Sequence, residues 1–218
     1  MKNPNGIVAN APMSFWANVT VTNDMTFLAE GQNDNGYNGA ISESTGEVHL
    51  TGKIWFTGDT RLAANGSSKL YFDGETVVDG RLTFNSQAHV YFSTPVKSTT
   101  GKGYLHTDQG HGAWHFLSPG NALTKVYMSG GGSDAQVIFG ATNALLESAF
   151  VEINASGTHT YVFDMGGFDQ TLAYFTDSAA TGPATHYLTS ATAATMTLKP
   201  ADSKLTRVTI QGEASLDL

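Results

Sequence analysis

The densest grouping of side chains able to do chemistry is His106-Thr107-Asp108-Gln109-Gly110-His111-Gly112-Ala113-Trp114-His115. Imidazole nitrogens and a carboxylate this close together are the donor set of a Zn²⁺ or similar site. Their spacing matches no established zinc motif, and His115 follows Trp114 as neighbours do on a strand, where successive side chains point to opposite faces. No metal site is therefore expected. The chemistry this set retains is glycan recognition. His106, Asp108, His111, Trp114 and His115 combine hydrogen-bonding groups with an aromatic face that packs on the apolar side of a pyranose. Trp16, Trp55, Tyr37, Tyr71 and Tyr104 can extend such a platform, although the core is the ordinary place for aromatics on strands.

Catalysis finds less support. Asp73, Glu75 and Asp79 flank strands, where paired carboxylates can bind Ca²⁺ or act as acid and base. Asp73 and Asp79 each precede a glycine, however, and turn formation accounts for them. The segment Asn33-Asp34-Asn35-Gly36 lacks the downstream bidentate Glu of a calcium loop. There is no Gly-x-Ser-x-Gly elbow, Ser129 and Ser133 have no histidine beside them in sequence, and Gly130-Gly131-Gly132 lacks the ending of a phosphate loop. No catalytic residue and no cofactor is expected.

These side chains must be positioned by strands. Apolar and β-branched residues recur in short alternating runs, such as Val48 to Phe56, Lys69 to Phe72, His89 to Phe92, Lys125 to Met128 and Thr160 to Phe163, separated by Gly, Asn, Asp, Ser and Pro. Asn143 to Leu146 alone hints at a helical turn. Runs at this spacing suit either a β-sandwich (jelly roll) or the rungs of a β-solenoid. Asn35-Gly36, Asn38-Gly39, Asn65-Gly66, Asp73-Gly74 and Asp79-Gly80 admit antiparallel hairpins in the N-terminal half. The C-terminal half has small-residue corners instead, which favour a coil. Glu30 to Asn38, Ser93 to Gly112 and Asp177 to Pro183 read as loops between rungs. The expected organisation is a flexible segment over 1–12 and one all-β solenoid domain over 13–218, with a β-sandwich the alternative for 13–100.

Composition bounds the partners. Charged residues make up 14% of the 218, against roughly 25% in ordinary soluble proteins. The net charge of −8 provides no basic field for nucleic acid or an anionic membrane. No run approaches the ~20 apolar residues of a membrane helix. The absence of Cys suits a protein that crosses an oxidising periplasm. An N-terminus without an apolar signal core is read as the result of processing, with the protein on the bacterial cell surface or beyond it.

From about Gly110 onward the pieces follow a recognisable order. Gly110-x-Gly112-x-Trp114 leads to Ser118, then come Lys125-Val126-Tyr127-Met128-Ser129-Gly130-Gly131 and Val137-Ile138-Phe139-Gly140-Ala141-Thr142-Asn143-Ala144-Leu145. Val151-Glu152-Ile153-Asn154 and Phe163-Asp164-Met165-Gly166-Gly167-Phe168-Asp169-Gln170-Thr171-Leu172 complete the series. This order resembles the autotransporter-associated β-strand repeat of secreted bacterial passengers, from which the chain departs at Met165 and Gly166. The resemblance implies a right-handed parallel β-helix with passenger-like repeats over about 110–218, exported and serving as a scaffold or adhesin. In such a coil Val137, Phe139, Val151, Ile153, Phe163 and Leu172 form interior ladders, while Asn143, Asn154 and Asp169 at corners accept from turn amides. Its open rung edges allow head-to-tail pairing with further copies, and surface glycans are the other expected partner.

Overall fold

The computed structural model describes residues 6–9, 13–28, 40–43, 45–64, 68–84, 87–107, 112–130, 134–155, 157–177, 182–199 and 203–218. Across them the chain winds as a β-solenoid. Its first coil is β1 (Gly6–Ala9), β2 (Met13–Phe15) and β3 (Val19–Val21). The second is β4 (Asp24–Phe27), β5 (Ile41–Glu43) and β6 (Glu47–Leu50), and the third β7 (Ile54–Phe56), β8 (Thr60–Ala64) and β9 (Lys69–Phe72). Then come β10 (Thr76–Val78), β11 (Arg81–Phe84) and β12 (His89–Phe92), followed by β13 (Val96–Lys97), β14 (Tyr104–Thr107) and β15 (Ala113–Phe116). Later coils reduce the first side to bridges such as Asn121 to Leu145 and continue with β16 (Lys125–Gly130), β17 (Ala135–Phe139), β18 (Phe150–Ala155) and β19 (Thr160–Asp164). The last strands are β20 (Gln170–Leu172), β21 (Tyr174–Thr176), β22 (Thr185–Leu198) and β23 (Val208–Asp217).

Each strand pairs with its counterpart one coil away, giving three sheets: A from β1 to β13, B from β2 to β21, and C running from β3 through β19 to β22. Every strand pairing among the described residues is parallel. This sets aside the sandwich alternative and hairpins at Asp73-Gly74 and Asp79-Gly80, while Asn35-Gly36, Asn38-Gly39 and Asn65-Gly66 lie outside the described residues. Within the segment over 1–12, β1 pairs with β4, and the rest of that segment lies outside the described residues. Ser93 to Gly112 is likewise not a single loop, since β13 and β14 lie within it. Asn143 adopts a positive φ of 48° at a corner instead of starting a helical turn. No helix is present that is long and apolar enough to cross a membrane, among the described residues.

The alternation in the sequence sets which side chains enter the coil. Strands β6, β9, β12 and β14 bury every second residue and leave the intervening one at the surface. In-register stacking then lines like residues above one another. Leu50, Phe72, Phe92, Phe116 and Phe139 form one interior column of sheet C, with Phe72, Phe92 and Phe116 ring-stacked at 5.3 and 5.5 Å. Val137, Phe139, Val151, Ile153, Phe163 and Leu172 are all fully buried, as expected for interior ladders. Burial of each such side chain contributes about 1.5–3 kcal/mol.

The Asp-Gly pairs mark corners rather than hairpins. A Cβ on Gly74 would lie 2.2 Å from the Gly52 carbonyl oxygen, and one on Gly52 would lie 2.3 Å from that of Asn23. Successive coils approach too closely there for any side chain, which is why glycine is required. Asx residues stitch the same corners. Asn18, Asp24, Asp59 and Asp134 each accept, through Oδ1, a backbone N–H one coil on, from Glu47, Lys53, Arg81 and Thr160. Asn143 and Asp169 do the same for Thr171 and Thr195, which lie in β20 and β22 rather than in turns as expected.

Candidate functional site

The candidate glycan set does not come together as one patch. His106 lies on β14 in sheet B, whereas Trp114 and His115 lie on β15 in sheet C. Asp108 and His111 are outside the described residues. Trp114 is removed from the set, because it faces the interior with no exposure and stacks on Phe92 at 5.7 Å, between Val90 and Val137 in register. Strand alternation, which sends His115 outward, necessarily sends Trp114 in. Of the further aromatics, Trp16 is 76% exposed, Trp55 donates from Nε1 to Asp79 Oδ2, and Tyr37 is outside the described residues.

His115 instead terminates a ladder on the outer face of sheet C. Parallel strands place equivalent side chains ~4.8 Å apart, close to the contact distance of stacked rings. His49, Tyr71, Tyr91 and His115 occupy one outward register row. Their ring centroids are separated by 4.3, 4.4 and 4.1 Å, with interplanar angles of 3°, 13° and 15°. His89, in the adjacent row, places Nδ1 2.8 Å from His115 Nε2. At the other end His49 Nδ1 lies 2.6 Å from Asp73 Oδ2, and Ser93 donates to Asp73 Oδ1. Glu47 and Lys69 pair at 2.7 Å beside the ladder. An open groove of about 280 Å³ lined by Asn18, Val19, Thr20, Glu47 and His49 lies at this end.

A second ring cluster covers the outer face of sheet B. Lys125 Nζ sits over Tyr127, Tyr104 and Phe150, 4.5, 5.1 and 5.8 Å from their centroids, and 3.5 Å from Glu152 Oε2. Phe150 stacks on Tyr174, and His106 stacks on Tyr127 and bonds Ser129 Oγ. Asn154 belongs to this cluster: its Nδ2 donates to the Tyr127 hydroxyl, so it does not serve a turn amide as expected. Among the described residues no three His, Asp or Glu side chains converge on a metal position.

The sheet C ladder has a built-in response to acid. Burial, with His89 beside it, pulls the His115 pKa from the ordinary 6.5 down to about 4. Burial and the Lys69 ammonium lower His89 too. Both rings are therefore neutral at pH 7, one N–H donating to the other's lone pair. Between pH 6.5 and about 4 the unfolded chain binds more protons than the folded one, so stability is complete above this window and falls as the pH drops through it. For His115 this amounts to as much as about 3 kcal/mol. Urea midpoints should be level above pH 7 and decline toward pH 4, with a clearly shallower decline in His115→Gln. An unchanged slope in that variant would refute the assignment.

Comparison with protein-family models, with curated proteins and with solved structures returns no match. The functional case therefore rests on geometry. His49, Tyr91, His89, Lys125 and Tyr127 were not singled out from sequence, yet a signal for the ladder exists. Val48-His49-Leu50, Leu70-Tyr71-Phe72, Val90-Tyr91-Phe92 and Trp114-His115-Phe116 repeat an apolar–ring–apolar triplet once per coil.

Proposed function

We propose that this chain is a structural and adhesive β-helix module of an exported bacterial surface protein, of the passenger type its C-terminal half resembles. The observation that carries the reading is the outward ring ladder of sheet C, which spans four strands of a parallel sheet. A solenoid buries its apolar residues inside, so a run of half-exposed rings on its outer face is surface that can be desolvated against another molecule. The low charge of the chain supports the same reading, because such a face meets a neutral partner without stripping water from many ions. The ring columns also stiffen the rod by adding contacts between coils.

The test is retention of protein-coated beads under flow on immobilised mucin, plant polysaccharide and bacterial envelope. Wild-type beads should hold on at least one surface, and the double variant Tyr71→Ser, Tyr91→Ser should release while keeping its β circular dichroism. Equal retention by both proteins, or none by wild type on any surface, refutes the adhesive role.

A further inference from the structure

We propose that the groove at the His49 end of the sheet C ladder is a subsite for one neutral pyranose ring. This rests on the adhesive reading of that face and names what its end takes. The stacking geometry selects the place. Rings stacked face to face along the coil axis occupy each other's faces: Tyr71 is sandwiched between His49 and Tyr91, and Tyr91 between Tyr71 and His115. A sugar needs an uncovered ring face, which such a column offers at its ends. The His115 end is closed by Ile138 in register and by the contact with His89. At the other end the register partner of His49 is Thr20, a short side chain, and the groove opens between them.

The groove holds about 280 Å³, just under the ~300–1,000 Å³ of ordinary ligand sites, so it takes a single ring rather than a chain in cross-section. Its rim supplies both kinds of hydrogen-bonding group. Glu47 commits Oε1 to Lys69, leaving Oε2 to accept from a sugar hydroxyl. Asn18 Oδ1 accepts from the Glu47 amide, which leaves its Nδ2 as a donor. The Asp73 carboxylate on His49 Nδ1 fixes the ring's plane. Thr20 adds a hydroxyl. The sign of the ligand follows from charge. Glu47 lines the groove with Lys69 as its counter-ion, Asp73 bonds the His49 ring, and the chain carries −8 overall, so uronates and sulfated sugars are repelled.

The probes are methyl glucoside, methyl galactoside, methyl mannoside and methyl galacturonate, titrated into the isotope-labelled chain and followed by NMR. At least one of the three neutral glycosides should give saturable shifts at the Thr20, Glu47 and His49 amides and the His49 ring, and the galacturonate should give none. His49→Ala should weaken association about fivefold, the loss of one stacking contact. Thr20→Phe, which fills the groove and leaves His49 in place, should abolish it. No shift at the groove with any neutral glycoside, or binding that survives both variants, overturns the subsite. Beads that adhere while the groove stays silent would retain the adhesive reading and discard this one. Shifts at the groove without bead adhesion would do the reverse.

Discussion

Replacing Asp79 by alanine should lower the unfolding free energy by about 3–4 kcal/mol, because one buried carboxylate holds three coils together. Asp79 sits at the corner after β10, 8% exposed. From the preceding coil the Trp55 indole donates to Oδ2 at 2.8 Å. From the following coil the Thr99 amide donates to Oδ1 and the Thr99 hydroxyl to Oδ2, each at 2.6 Å, joined by the Thr100 amide at 3.1 Å and the Ser98 hydroxyl at 3.2 Å. Burial on its own would raise the carboxyl pKa, but these donors outweigh it and hold the group at about 2, against an ordinary 3.8. This contribution is therefore present above about pH 4 and is lost as the pH falls through 2. Alanine leaves the half-buried indole and two amides without their acceptor, each at a cost of about 1–3 kcal/mol, partly relieved by water reaching the exposed Thr99 and Thr100. Asparagine keeps the shape and one acceptor but aims an N–H at a donor, so its loss should be intermediate. Urea unfolding gives the total, and hydrogen exchange at Thr99 and Thr100 shows where it arises. An Asp79→Ala chain within about 0.5 kcal/mol of wild type would refute the stitching role.

Asp79 also shows why the fold was only partly legible from sequence. Alternation is local, so the inward set from Val137 to Leu172 could be read directly along the chain. The partner of each strand lies a coil away, and coil length varies, so neither register nor face assignment is written locally. Asp73-Gly74 and Asp79-Gly80 have the composition of two-residue hairpin turns, but the glycines answer a different demand, the approach of one coil's backbone to the next. Ser98, Thr99 and Thr100 read as loop because their polar groups serve Asp79, a partner visible only after coiling. The outer ladder was hidden for the same reason. His49 is unremarkable until a parallel register sets it 4.3 Å from Tyr71.

Trp114 was the side chain most attractive as a ligand contact, and its substitution separates the two roles sharply. Trp114→Ala should cost about 3–5 kcal/mol, the range for emptying a buried aromatic site in a close-packed core. The ring has no exposure and fills the interior between Phe92 at 5.7 Å, which it stacks on, and Phe84 at 4.9 Å, which it meets at a tilt. Its neighbours above and below in register, Val90 and Val137, are too small to close the space left behind. The indole Nε1 finds no acceptor among the described residues, so Trp114→Phe removes a stranded donor along with part of the volume. That variant should therefore lose much less than alanine, about 1–2 kcal/mol, as the smaller cavity and the relieved N–H oppose each other. Equilibrium unfolding of the two variants checks the order. A surface contact would give the opposite pattern, with both variants near wild-type stability, and that outcome would return Trp114 to the outside of the coil.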